Sequence, residues 1–181
     1  MIVLVVSLLF SLDKLDFYDL IGASVIGIGI LLMGLGIFNL GEDRKLIRLA
    51  LGSAFATAGY SIIDGMGARL MGDAFSYVSW LLIFSAIFYV PVIFSIKGQS
   101  VFPKNRKQLS LGLLVGGTSF LAYAIVVWAM TQAPIAVVTA LRESSILFAV
   151  MIGYFFFGDR MTFNKILAAL VIVIGIVLTR Y

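Results

Sequence analysis

Histidine and cysteine are both absent from the chain, and charged residues make up only 12% of it. The first two absences remove imidazole acid–base catalysis, thiol nucleophiles, disulfides, zinc clusters and haem ligation as readings. The scarcity of charge removes most of the means by which a protein faces water. In its place, 62% of the 181 side chains are hydrophobic, against roughly 45–50% in soluble domains. With a mean hydropathy of +1.13, this is the composition of an all-α integral membrane protein. A net charge of +4 does not point to nucleic acid, because the basic residues fall between hydrophobic runs, where they report topology.

A spanning helix needs about 20 predominantly apolar residues. Six segments qualify, 19–40, 46–68, 74–96, 109–131, 134–157 and 164–180, joined by "GEDRK", "MGD", "KGQSVFPKNRKQ", "TQAP" and "GDRMTFN". None of these connections could hold a soluble domain. The N-terminal run "MIVLVVSLLFSL" lacks the basic start and small-residue cleavage site of a secretory leader. As a helix it would reach only about 18 Å into a core of about 30 Å.

A shift of 146 positions lays residues 11–32 on residues 157–178, with nine of the 22 pairs identical. They include Asp13/Asp159, Phe17/Phe163, Ile26/Ile172 and Gly29/Gly175. On this register Met1 falls opposite Leu147, so the chain is expected to open partway through a helix of a first repeat. Residues 1–40 then form the tail of that repeat, and 41–181 a complete second repeat of five helices. An odd number of helices per repeat inverts successive repeats in the membrane, as in many secondary transporters. The expected fold is six full transmembrane helices plus an N-terminal partial helix. The plainer alternative keeps residues 1–12 as a half-inserted helix at a true start.

Three features then carry a resemblance. A helix opens on Pro134, its apolar run closes in Gly158-Asp159-Arg160, and a last helix ends in Gly175-Ile176-Val177-Leu178. Residues 122–178 resemble the last three helices of an EamA-type repeat of the drug/metabolite transporter superfamily. "GYSIIDGMGARL" (59–70) is similar to the first helix of the same repeat. The resemblance implies ten helices in two five-helix repeats and a transport activity. Against that pattern the chain is expected to lack most of the first repeat, and Asp159 stands where Glu is more usual.

Charge inside such a helix is costly, about 2.5–3.5 kcal/mol per residue on insertion scales, and marks functional positions by default. Arg142 and Glu143 sit well inside the 134–157 span, and Asp64 near the far end of an oppositely directed one. An Asp64–Arg142 pair would leave Glu143 the freer carboxylate; Glu143 or Asp64 could exchange a proton or hold a cationic group, while Arg142 recruits an anion or tunes the carboxylate. The competing reading is an ion pair that only fastens two helices. Ser144, Ser145, Thr139 and Gln132 could share the cavity, with Tyr60, Tyr123 and Trp128 as walls, although packing or an interfacial belt is the commoner role of such aromatics. The cavity is expected between helices 46–68, 109–131 and 134–157. Gly22, Gly29 and Gly36, and the Gly112/Gly116 pair, let helices approach closely.

The nine basic residues Arg44, Lys45, Arg48, Lys97, Lys104, Arg106, Lys107, Arg160 and Lys165 share one face, against Lys14, Arg69 and Arg180 on the other. The positive-inside rule puts the first face in the cytoplasm and Tyr181 outside. The expectation is therefore a plasma-membrane, multi-pass secondary transporter of a small metabolite or hydrophobic compound, with proton coupling as an option. Asp64, Arg142, Glu143, Tyr60, Trp128 and Ser144 are its candidate substrate or coupling residues. Neither metal nor cofactor is called for, and the partners are the bilayer, the substrate, and either a second copy of the chain or a separate N-terminal half. The alternative is a truncated, non-transporting membrane component or partner subunit. An enzyme fits least, without His, Cys or paired carboxylates.

Overall fold

Lipid offers no hydrogen-bond partners, so a chain within it must satisfy every backbone group internally, and a helix does so along one segment. The computed structural model of this chain describes residues 2–38, 44–98, 103, 105–158 and 162–179. In order, its helices are α1 (Ile2–Leu9), α2 (Phe17–Phe38), α3 (Arg44–Met71), α4 (Ala74–Lys97), α5 (Arg106–Gln132), α6 (Ile135–Arg142), α7 (Ser145–Phe157) and α8 (Phe163–Leu178). No strand occurs among the described residues. Among the described residues, three stretches are long and apolar enough to cross a membrane: α4, α5 and Ile135–Phe157, the last made of α6 and α7 together. α2 and α8 carry the shorter apolar stretches Phe17–Met33 and Phe163–Leu178. The 28-residue α3 is much less apolar, with Arg48, Asp64 and Arg69 along it. Lys104, Asp159, Arg160, Arg180 and Tyr181, used in the sequence argument, lie outside the described residues.

The "MGD" connection works as a stop and a start. Gly72 takes a left-handed φ of +77°, which a side chain would strain. Asp73 then caps α4, its carboxylate accepting the amides of Phe75 at 3.1 Å and Ser76 at 3.2 Å. Gly158, at φ +69°, ends α7 in the same left-handed way.

The chain falls into two compact units, Met1–Ile63 with Ala133–Tyr181, and Asp64–Gln132. In the first, α2 and α8 share the most extensive helix contact. Their glycines are the reason. A Cβ on Gly29 would come within 2.6 Å of Ile172 Cγ1 and 3.1 Å of the Ala168 carbonyl oxygen. A Cβ on Gly175 would come within 2.6 Å of Ile26 Cγ1 and 2.9 Å of the Gly22 carbonyl oxygen. Under the shift of 146, positions 22, 26 and 29 become 168, 172 and 175. The contacts of one glycine are thus those of the other with the labels exchanged, as a two-fold axis generates. Gly22 also lies against Thr179, so the helices run antiparallel and that axis is perpendicular to them.

α1 is shorter than the expected partial helix. It buries Val3, Leu4 and Ser7 and packs on α6. α6 begins after Pro134 without a side-chain cap of its own. Asp13 supplies one from the α1–α2 connection, its carboxylate accepting the Ile135 amide at 2.7 Å. A carboxylate there also meets the positive end of the helix dipole.

In the second unit, Ala68, Ala74, Val78, Ala124 and Val127 form a core with Tyr77, Phe120 and Tyr123 against it. Arg69 Nε donates to the Met130 carbonyl at 2.8 Å, a cation on the last turn of α5. Within this chain, a Cβ on Gly112 or Gly116 would meet nothing within 4 Å. G-x-x-x-G spacing allows close approach and does not compel it. Phe155, Phe156 and Phe157 stand out from α7, which buries none of its residues. Such a surface suits lipid as solvent.

Candidate functional site

The span expected as one helix over 134–157 is interrupted where its charges lie. The Glu143 amide is shared between the carbonyls of Thr139 at 3.3 Å and Ala140 at 3.2 Å. Ser144 then donates to Leu141 at 3.0 Å, Ile146 to Glu143 at 3.1 Å and Leu147 to Ser144 at 2.9 Å, each three residues back. This is a short 3₁₀ step between α6 and α7, of the kind that marks hinges and functional sites. Neither proline nor glycine causes it. Ser144 and Ser145 do compete for backbone groups and weaken a helix interior, and the Arg-Glu-Ser-Ser run was the signal that apolar periodicity alone passes over.

Around this step lies a cavity of about 600 Å³ within the first unit. Its walls come from α1, α2, the 50–61 stretch of α3, and α6, with Arg142 and Glu143 its charged residues. The remainder is apolar or small, relieved by the hydroxyls of Ser53, Thr57, Ser61 and Thr139. Ser53, Thr57 and Ser61 follow at intervals of four and share one face of α3. Ser61 donates to the Thr57 carbonyl at 2.7 Å and Thr139 to the Ile135 carbonyl at 2.6 Å, so these hydroxyls satisfy their own helices.

Arg142 is partly exposed. Its Nη1 donates to the Tyr60 hydroxyl at 3.3 Å, its guanidinium carbon stands 5.8 Å from that ring's centroid, and its Nη2 is 3.7 Å from Glu143 Oε1. Tyr60 thus touches Arg142 and is not among the residues that line the cavity. Ser144 sits at the helix step, where its backbone serves the 3₁₀ turn.

Asp64 is 5% exposed and lies in the second unit. Its Oδ1 accepts the Tyr77 hydroxyl at 2.9 Å and its Oδ2 that of Tyr123. The expected Asp64–Arg142 pair joins residues of different units, and each finds its partners within its own. Two phenols satisfy the carboxylate in place of a guanidinium, and Arg142 takes the carboxylate next to it in sequence. Trp128 belongs to α5 in the second unit and is half exposed. Within the first unit the cavity walls include α1 and α2, which were not expected there, while the 109–131 stretch belongs to the second unit. No cluster of potential metal ligands occurs among the described residues.

An apolar chain with a broken span, a charged pair at the break and a cavity around it has the parts of a membrane carrier. The sequence profile of the EamA-like transporter family matches residues 44–181. The chain belongs to this family. The EamA match opens on the first residue of α3 and covers every later helix, so it takes in Arg142, Glu143 and Asp64. No curated protein and no solved structure matches the chain. As an EamA-like protein it is a membrane transporter of the drug/metabolite transporter superfamily, and that family is not one of enzymes.

Proposed function

We propose that the protein is a multi-pass secondary transporter of the plasma membrane. It carries a small metabolite or hydrophobic compound by alternating access, with Glu143 exchanging the coupling proton and Arg142 engaging the substrate. One observation carries this reading: the charged pair sits at the interruption of a spanning helix and on the wall of a 600 Å³ cavity. Secondary transporters build their sites from such discontinuous helices. The reading also takes the helices as six crossings, with residues 1–40 and 41–181 as parts of two inverted repeats. The exchangeable contacts of Gly29 and Gly175 support that division, since an axis perpendicular to two membrane-crossing helices lies in the membrane plane.

The test is reconstitution of the purified protein in liposomes, recording proton flux against amino acids, nucleosides and cationic dyes. Saturable flux is expected, and Glu143→Gln should abolish it while the protein elutes and melts as the parent does. Undiminished uptake by that variant would overturn the coupling role.

A further inference from the structure

Resting on the transport reading of the Arg142–Glu143 site, we propose that its ligand is an amphipathic monoanion. The oxyanion of this ligand replaces Glu143 on the Arg142 guanidinium, so that each binding event places one proton on Glu143. The walls set the ligand's body. Ile2, Val3, Leu4, Ile26, Ile30 and Leu51 are apolar, so most of the bound surface is apolar too. The hydroxyls of Ser61 and Thr139 are spent on backbone carbonyls, which leaves them no proton to donate to a second anionic group. Among the described residues that line the cavity Arg142 is the one cation, so the charged head is placed there.

Arg142 is poised to receive it. A guanidinium offers five N–H donors in a fork that matches a planar oxyanion, with bidentate bonds of about 2.7–2.9 Å. Here it makes one hydrogen bond of 3.3 Å to Tyr60 and one ion pair of 3.7 Å to Glu143. The fork is loosely used, and Glu143 holds the place of a competing anion. Charge decides the rest. Arg142 and Glu143 together are neutral, so an entering anion leaves an excess negative charge unless Glu143 takes up a proton. A dianion would leave that excess even then. Among the described residues, the other titratable group that faces the pair from the packed helices is the Tyr60 phenol on α3. The lining residues of α1 and α2 are all uncharged, and Asp13 is engaged at the opposite end of α6.

The experiment uses the full chain in lipid nanodiscs, with empty discs as the partition control and 2-naphthalenesulfonate as the probe. The sulfonate is anionic throughout pH 5.5–8, so any pH dependence belongs to the protein. Its Kd should weaken by about tenfold per pH unit across the range in which binding takes up the proton, the slope of one linked proton. Glu143→Gln should bind at pH 8 as the parent does in acid, with the slope gone. Arg142→Gln should lose at least about tenfold in affinity, and Arg142→Lys, which keeps the charge but not the fork, should fall between. Equal binding of 2-naphthalenesulfonamide or 2-naphthylmethylammonium would overturn the proposal, as would a slope that survives in Glu143→Gln. Absent sulfonate binding with Glu143-dependent flux intact would remove the ligand class and leave the transport reading standing. Absence of both would remove both.

Discussion

Two phenols on one carboxylate set the local energetics of the second unit. Asp64 has almost no access to solvent, and hydrogen bonds to a charged group are worth about 1.5–3 kcal/mol each. Tyr123→Phe and Tyr77→Phe should each lower stability by about 1–3 kcal/mol, read as an earlier thermal transition in detergent. The double variant should fall short of additivity, because both bonds end on the same group. Equal melting of all three with the parent would mean that Asp64 is satisfied in another way. At this scale the sequence made the charged residues visible and their partners invisible. Asp64, Arg142 and Glu143 stand out because charge is rare here, but which of them pair depends on helix rotation, and a tyrosine hydroxyl carries no charge to betray it.

Helix ends and helix seams were read unevenly. At the "MGD" connection, which the sequence marks only as a break between apolar runs, the structure makes Gly72 the stop and Asp73 the cap. Asp73 is exposed, and the hydroxyl of Ser76, followed by the Phe75 amide, holds its carboxyl below the usual value of 3.8. Its folded pKa is therefore lower than its unfolded one, so the stability it lends is complete above about pH 4 and fades as pH falls through the depressed value. The melting difference between the parent and Asp73→Ala should shrink on acidification from pH 5 to pH 3. A constant difference would show that the cap works without the charge. Glycine spacing was a weaker guide, because it marks where helices can meet without saying which do. Gly175→Ala presses a methyl group against the Gly22 carbonyl and the Ile26 backbone and should destabilise by about 1–3 kcal/mol, as overpacking does. Gly116→Ala meets open space and should be neutral or mildly stabilising, since Ala favours the helix. Reversal of that order in thermal melts would show the α2–α8 seam to be wrongly drawn.

For the whole molecule, composition gave the all-helical membrane class, while the division into two units was out of reach. That division depends on long-range packing within a sequence that is apolar throughout, where the hydrophobic pattern hardly distinguishes inside from outside. The absence of cysteine makes the membrane arrangement directly testable. Lys14 and Asn105 are separated by α2, α3 and α4, so three crossings would put them on opposite faces. A membrane-impermeant maleimide should label Lys14→Cys in intact cells, and Asn105→Cys only after permeabilisation. Labelling of both from the same side would overturn the six-crossing arrangement.

The 3₁₀ step between α6 and α7 has a consequence in angle as well as in hydrogen bonding. An α-helix turns about 100° per residue and a 3₁₀-helix about 120°. Three residues passing from the 3₁₀ form to the α form would turn α7 about its own axis by about 60° and shorten the span by about 1.5 Å. Such a swivel needs no separation of helices and does not move α6. It would carry Phe155, Phe156 and Phe157 around the lipid-facing rim while Arg142 stays anchored on Tyr60, making Glu143 the pivot of a rotary joint inside a single membrane span.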